Sequence, residues 1–294
     1  MKYRHRFHAG NFADVHKHVA LLALLQAMQR KDKGFLYLDL QAGAGRYDLA
    51  AASSNHGAEA RHGVTALMNL AASAAADAAA EIADYRAAVG ALRHELSDPN
   101  VYPGSPWLAA RALRAQDRGI CWELLPAECR ALERALGGFR RVRVECGDGY
   151  QQLRALLPPR ERRCLLLIDP AYEQPAAEFE RATQIILSTL ERLANCVILL
   201  WYPIKDERTV TPWLASLNSR LPAPCLSLEL WLYPRDSRVA LNGSGLLLVN
   251  PPYQFEQRAA LWQAELHALL DKAALGGSSL TWLVSDAGVD HASA

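Results

Sequence analysis

The chain has 294 residues, 51% of them hydrophobic and 21% charged, with a net charge of +1. That balance is ordinary for a globular protein, is large enough for one α/β domain or two small ones, and excludes a disordered chain or nucleic-acid binding driven by overall charge. No apolar run approaches the roughly 20 residues of a membrane span, and Met1 to Phe12 has no signal-peptide core.

The charge is uneven from the start. Residues 1–33 carry Lys2, Arg4, Arg6, Lys17, Arg30, Lys31 and Lys33 against Asp14 and Asp32. Four histidines (5, 8, 16 and 18) are interleaved with these cations, which disfavours a bound metal. The aromatics Tyr3, Phe7 and Phe12 among them suit stacking on bases beside phosphate contacts. Helical spacing of apolar residues predicts a helix from Asp14 to Arg30, with Asp14 as its cap.

Strands then alternate with helical patterns. The first strand, Phe35 to Leu40, runs into Gln41-Ala42-Gly43-Ala44-Gly45. An alanine-rich stretch follows, about 50–100, too long for a simple crossover, and it predicts an inserted helical subdomain. Tyr102 to Pro106 reads as a turn-rich return loop. Six more strands are predicted at Ile120–Leu125, Val142–Cys146, Leu165–Ile168, Cys196–Tyr202, Leu226–Leu232 and Gly245–Val249. Helices are predicted at Pro126–Leu136 and Ala177–Leu193. Together they give a seven-stranded, doubly wound α/β sheet with helices on both faces. The small, polar tail from Ser285 is expected to be disordered.

The six cysteines, at 121, 129, 146, 164, 196 and 225, make no Cys-x-x-Cys pair, and several lie in apolar runs. Reduced, buried thiols of a cytoplasmic protein are expected rather than a disulfide or zinc framework.

Candidate chemistry gathers at strand ends. Gly43 and Gly45 allow a tight turn and close ligand approach, although Asp48 stands where a dinucleotide fingerprint has its third glycine, which counts against a nicotinamide oxidoreductase. Glu123, near the end of the second strand, suits ribose hydroxyls. Asp148, between two glycines, suits an adenine amine or simply its own backbone. Asp169-Pro170-Ala171-Tyr172 then brings an acceptor, a carbonyl and an aromatic ring to the carboxyl end of a buried strand. Gly loop, acid, Asp and Asp-Pro-x-aromatic, each after a successive strand, match the order of a class I S-adenosylmethionine site. Asn250-Pro251-Pro252-Tyr253 competes for the last role, but it follows the seventh strand, at what reads as a sheet edge.

The run Tyr3-Arg4-His5-x-Phe7-His8-Ala9-Gly10-Asn11-x-Ala13-Asp14-Val15-x-Lys17-His18, with Phe35-Leu36-Tyr37-Leu38-Asp39 and Ala42-Gly43-Ala44-Gly45-Arg46-Tyr47, closely resembles the RlmJ family. Tyr102 to Pro106, Asp148-Gly149, Asp169-Pro170 and Trp201-Tyr202-Pro203 fit it too. The resemblance implies a class I methyltransferase fold with a helical insertion, over residues 1–284. It implies methyl transfer from S-adenosylmethionine, without a metal, to N6 of one adenine in 23S ribosomal RNA. The RNA would be protein-free or in an early assembly intermediate, and the enzyme a cytoplasmic monomer without a membrane partner. Lys17, His18, Gln41, Gly43, Ser105, Glu123, Asp148, Gly149 and Asp169 would serve the cofactor. Asp169, Pro170 and Tyr172 would be catalytic, and Tyr3 and Tyr172 would meet the RNA. Two departures stand out. Gln41 replaces a frequent histidine. Ala171 replaces a second proline, leaving Pro170 less restricted at a cost of roughly 0.4–1 kcal/mol of ordering. Methylation of adenine in DNA, and an inactive ribosomal-RNA-binding module, are the alternatives.

Overall fold

The computed structural model describes residues 8–50, 57–71, 78–205, 207–235, 237 and 241–285. Its centre is a run of strands whose apolar residues are covered on both faces, as parallel strands require. In chain order β1 is Leu36–Asp39, β2 Arg46–Asp48, β3 Val101–Pro103, β4 Arg118–Glu123 and β5 Val142–Cys146. They are followed by β6 Cys164–Ile168, β7 Val197–Ile204, β8 Cys225–Trp231, β9 Gly243–Val249 and β10 Gly277–Val284. Among the described residues eight of these form one sheet, in the order β10-β8-β9-β7-β6-β1-β4-β5. β5, β4, β1, β6 and β7 are parallel neighbours. β9 is antiparallel to both β7 and β8, and β10 is antiparallel to β8.

The chain moves outward from β1 through β4 to β5, then crosses back to lay β6 on the other side of β1. The crevice at the carboxyl ends of β1 and β6 is therefore the switch point at which open α/β sheets bind ligands.

All seven predicted strands are present, and no end is shifted by more than two residues. The eighth, β10, carries no apolar run, since it lies at the sheet edge and is only half-buried. Tyr102 is not in a loop. It pairs with Tyr47 across the β2–β3 ribbon, and its ring is buried.

Helix α1, Phe12–Gln29, is buried around most of its circumference. Its cap is Asn11, whose side chain accepts from the Asp14 amide at 2.9 Å, and not Asp14 as the sequence suggested. The Asp14 carboxylate lies in the first turn and turns inward. In the region expected to be helical lie α2 Gly57–Arg61, α3 Val64–Met68 and α4 Ala80–Leu96. Of the alanine-rich stretch, 51–56 and 72–77 lie outside the described residues, as do Tyr3 and most of the tail. Ile82, Tyr85, Val89 and Leu92 of α4 join the core that α1 builds.

The remaining helices are α5 Ser105–Ala112, α6 Pro126–Leu136, α7 Gly149–Leu156, α8 Pro175–Arg192, α9 Glu207–Arg220 and α10 Phe255–Leu270. Among the described residues no helix is long and apolar enough to cross a membrane. One expectation about the cysteines is corrected. Cys129 on α6 and Cys146 at the end of β5 form a disulfide, with Cα atoms 5.8 Å apart. Packing α6 back against β5 brings together two residues whose sequence spacing carries no such signal. The other four cysteines are free and buried.

Candidate active site

The carboxyl ends of β1, β4, β5 and β6 surround a cavity of about 400 Å³, within the range of small-molecule sites. Gly43, Ser105, Glu123, Asp148, Gly149, Asp169 and Pro170 line it, joined by Lys17 and His18 from α1 and by Gln41. Residues scattered over 150 positions thus meet at the predicted edge.

Each is held by identifiable bonds. Gly43 has a φ of +62°, and a Cβ there would stand 2.2 Å from the Tyr47 hydroxyl. Its N–H donates to Glu123 Oε2 at 2.9 Å, while Glu123 Oε1 accepts from the Leu125 amide at 2.7 Å. Burial raises the Glu123 carboxyl, against these backbone bonds. Gly149 begins α7, where a Cβ would come within 2.7 Å of the Leu40 carbonyl oxygen. Asp148 caps that helix through the Tyr150 amide at 2.9 Å and pairs with Arg181 at 2.8 Å. The local-turn role therefore coexists with a place in the cavity wall.

Asp169 ends β6. Its amide donates to Gln41 Oε1 at 3.0 Å, so Gln41 steadies the Asp-Pro turn from the β1 side. Its Oδ2 accepts from Lys17 Nζ at 2.5 Å. Lys17 also donates to Asp14 at 2.9 Å, and its side chain is only 4% exposed. Burial alone would lower the lysine, but the two carboxylates outweigh it and hold the ammonium above its usual range. His18 bonds the Tyr102 hydroxyl at 2.8 Å, and Tyr85 of α4 donates to that same hydroxyl at 3.2 Å, linking the inserted helix to the cavity.

Tyr172 departs from expectation. It does not line the cavity and is 9% exposed. Its hydroxyl donates to the Trp201 carbonyl at 2.8 Å, and its ring packs on Phe179 and Trp201. These two aromatics, from α8 and β7, offer more contact than solvent does, so the ring turns inward and is not poised to stack on a base. Asn250 is also explained. β9 is interior to the sheet rather than an edge, but it runs antiparallel, so Val249 pairs with the start of β7 and Asn250 leaves on the edge away from the cavity. There its side chain donates to the Ala194 and Cys196 carbonyls at 2.8 and 2.9 Å. Asn250→Ala is expected to lower stability by about 1–2 kcal/mol through those bonds, with the chemistry of the cavity nearly unchanged. Steady-state kinetics and thermal melts check this, and a collapse of turnover would contradict it.

Asp39 was missed in the sequence. Fully buried at the end of β1, its Oδ2 accepts from Tyr37 and Ser105 at 2.9 and 2.8 Å. Burial pushes its carboxyl up to about 6, against those two hydroxyls. An acid raised in the folded state costs stability once the unfolded chain ionises it, so the cost is absent well below pH 4, grows between about 4 and 6, and is complete above that. From the shift it amounts to roughly 3 kcal/mol. Asp39→Asn removes that titration. Relative to the original chain, its unfolding free energy is expected to gain by about that amount between pH 4 and pH 7.5. A difference that does not vary with pH would contradict it.

An antiparallel strand set between the fifth and sixth parallel ones, with glycine turn, acids and Asp-Pro at the switch point, defines the class I methyltransferase fold and its cofactor edge. Residues 32–284 match the family model described as ribosomal RNA large subunit methyltransferase D, RlmJ. The chain is 34% identical to ribosomal RNA large subunit methyltransferase J of Escherichia coli and 32% identical to that of Haemophilus influenzae. Each alignment covers 97% of this chain and 100% of the relative. A crystal structure of a Legionella pneumophila protein superposes with a TM-score of 0.83 at 29% identity, covering 94% of this chain and 98% of that one. The chain belongs to the RlmJ family.

Proposed function

We propose that the chain transfers a methyl group from S-adenosylmethionine to the N6 amine of an adenine in large-subunit ribosomal RNA. The observation that carries this is the Asp169-Pro170 turn at the mouth of an acid-lined cavity on the switch point of the sheet. The relatives are named for methylation of that RNA, which supports the substrate class.

The cavity suits the cofactor. Glu123, Glu128, Asp148, Asp169, Glu173 and Glu178 line it against Lys17 and Arg181, an excess of acid that favours a cationic sulfonium and ammonium over phosphate. Gly43 leaves room that a side chain would fill. Glu123 keeps lone pairs for ribose hydroxyls, and Asp148 remains an acceptor for the adenine ring amine. The bound sulfonium supplies an electrophilic methyl group.

The chain's own residues do the rest. An adenine amine is a poor nucleophile because its lone pair is delocalised into the ring. Asp169 and the Pro170 carbonyl accept its two N–H bonds and favour a tetrahedral nitrogen. The Lys17 pair and the Gln41 bond hold that carboxylate in one orientation, so alignment does not have to be found during the reaction. Asp169 or water takes the proton after transfer. Tyr172, anchored to Trp201, supports the turn from behind. The base must leave its stack at a cost of a few kcal/mol.

The test is transfer of label from tritiated S-adenosylmethionine to protein-free large-subunit RNA and, separately, to DNA. Label in RNA alone is expected. Label in DNA alone would move the assignment to a DNA enzyme, and binding of RNA without transfer to an inactive binder.

A further inference from the structure

The basic cluster Arg160 to Arg163, which the cavity does not use, is part of a larger feature. It precedes β6, at the sheet edge opposite the cavity. The loops that enter the other parallel strands reach the same edge. Arg30, Lys31 and Lys33 precede β1, Arg114 and Arg118 flank the entry to β4, Arg140 and Arg141 precede β5, and Arg192 ends α8 before β7. These loops are knit into one surface. Arg114 donates to the Gln29 and Lys31 carbonyls, Arg163 to those of Met28 and Lys33, and Asn195 to that of Arg162. Five adjacent strands spaced about 4.8 Å apart make a band roughly 20 Å long.

The acids there are few and partly taken. Asp117 pairs with Arg114, and Glu161 pairs with Arg118 and Arg160. Arg30, Lys31, Lys33, Arg140, Arg141, Arg162 and Arg192 are exposed, and none has an ion pair among the described residues. Among the described residues of these loops, Asp32 and Glu191 are the exposed acids. Favourable placement at helix carboxyl ends does not account for this, because that effect fades within the last turn, and Lys31, Lys33, Arg140, Arg141 and Arg162 lie beyond it. In a chain of net charge +1 the concentration of cations on one edge is matched by the acids around the cavity on the other.

We infer that this back edge is a second RNA-docking surface, taking the phosphate backbone of a structured segment of the same RNA whose adenine enters the cavity. The inference rests on the RNA reading above. An acid-lined cavity repels phosphates, so affinity for a long polyanion must come from cations elsewhere. An exposed band in which seven cations have no ion pair among the described residues releases counterions on contact, which is what sequence-independent RNA affinity requires.

The test is the combined variant Lys31→Gln, Arg140→Gln, Arg141→Gln and Arg162→Gln, all surface positions away from the cavity. Binding of protein-free large-subunit RNA is measured over a range of salt, alongside S-adenosylmethionine affinity, thermal stability and turnover at saturating RNA. RNA affinity is expected to fall by about tenfold or more near 0.1 M salt, and the slope of log affinity against log salt to lose about 3. Cofactor affinity, melting and saturated turnover should hold. Unchanged RNA affinity and slope would overturn the inference and leave the edge to solvent or to an acidic protein. A parallel loss of cofactor affinity or saturated turnover would overturn it too, by tracing the effect to the fold or the cavity. If the original chain labels no RNA, the underlying RNA reading fails and the inference falls with it.

Discussion

Asp169→Ala is expected to lower the turnover of methyl transfer by about a hundredfold or more, the scale seen when a preorganised polar group at a reacting centre is removed. Oδ2 of Asp169 is engaged by Lys17, and the second carboxylate oxygen makes no hydrogen bond among the described residues, which leaves it open to an amine. The acids that shape the rest of the cavity remain, so calorimetric affinity for S-adenosylmethionine should change far less than turnover. Asp169→Asn keeps an acceptor oxygen while removing the charge, and should fall between the original chain and the alanine variant. Near-normal turnover in Asp169→Ala would remove the assigned role, since no other Asp-Pro or Asn-Pro turn reaches the cavity.

Lys17→Met carries the second large effect, and it lies first in stability. The ammonium joins two carboxylates, Asp14 at 4% side-chain exposure and Asp169 at 14%. Removing the cation leaves both without it, and breaking a buried pair in this way costs about 3–5 kcal/mol. A marked drop in melting temperature is therefore expected, together with a loss of transfer as Asp169 loses its anchor. Adding Asp14→Asn to Lys17→Met removes one of the stranded charges and should recover part of the stability, so the double variant should cost less than the two single changes summed. Additive losses would mean that the three groups are not coupled. Stability close to that of the original chain in Lys17→Met alone would mean the lysine is a solvated surface charge.

Local chemistry made most of the fold legible. Buried strands such as Leu165 to Ile168 announce themselves as apolar runs, and Gly43, Asp148 and Asp169 each follow a strand, so chain order alone assembles the site. What stayed hidden depends on partners distant in sequence. Asp39 reads as the polar end of a strand until Ser105 and Tyr37 are seen to enclose it. Asp14 resembles a helix cap, and only the fold turns it toward Lys17, although their i, i+3 spacing was a usable signal. Tyr172 carries the right letter in the right motif, yet Phe179 and Trp201 draw its ring away from the cavity. The Cys129–Cys146 bridge and the half-exposed strand β10 leave no pattern, because each depends on tertiary packing rather than on hydrophobic period.

Methylation at adenine N6 is tested most directly by digesting protein-free large-subunit RNA, labelled by the purified chain and tritiated S-adenosylmethionine, to nucleosides and separating them by chromatography. The label is expected to co-elute with N6-methyladenosine. Label in a ring-methylated or ribose-methylated nucleoside would contradict it, because in the proposed mechanism Asp169 and the Pro170 carbonyl accept two hydrogens from an exocyclic amine, a role that a ring nitrogen or a hydroxyl does not call for.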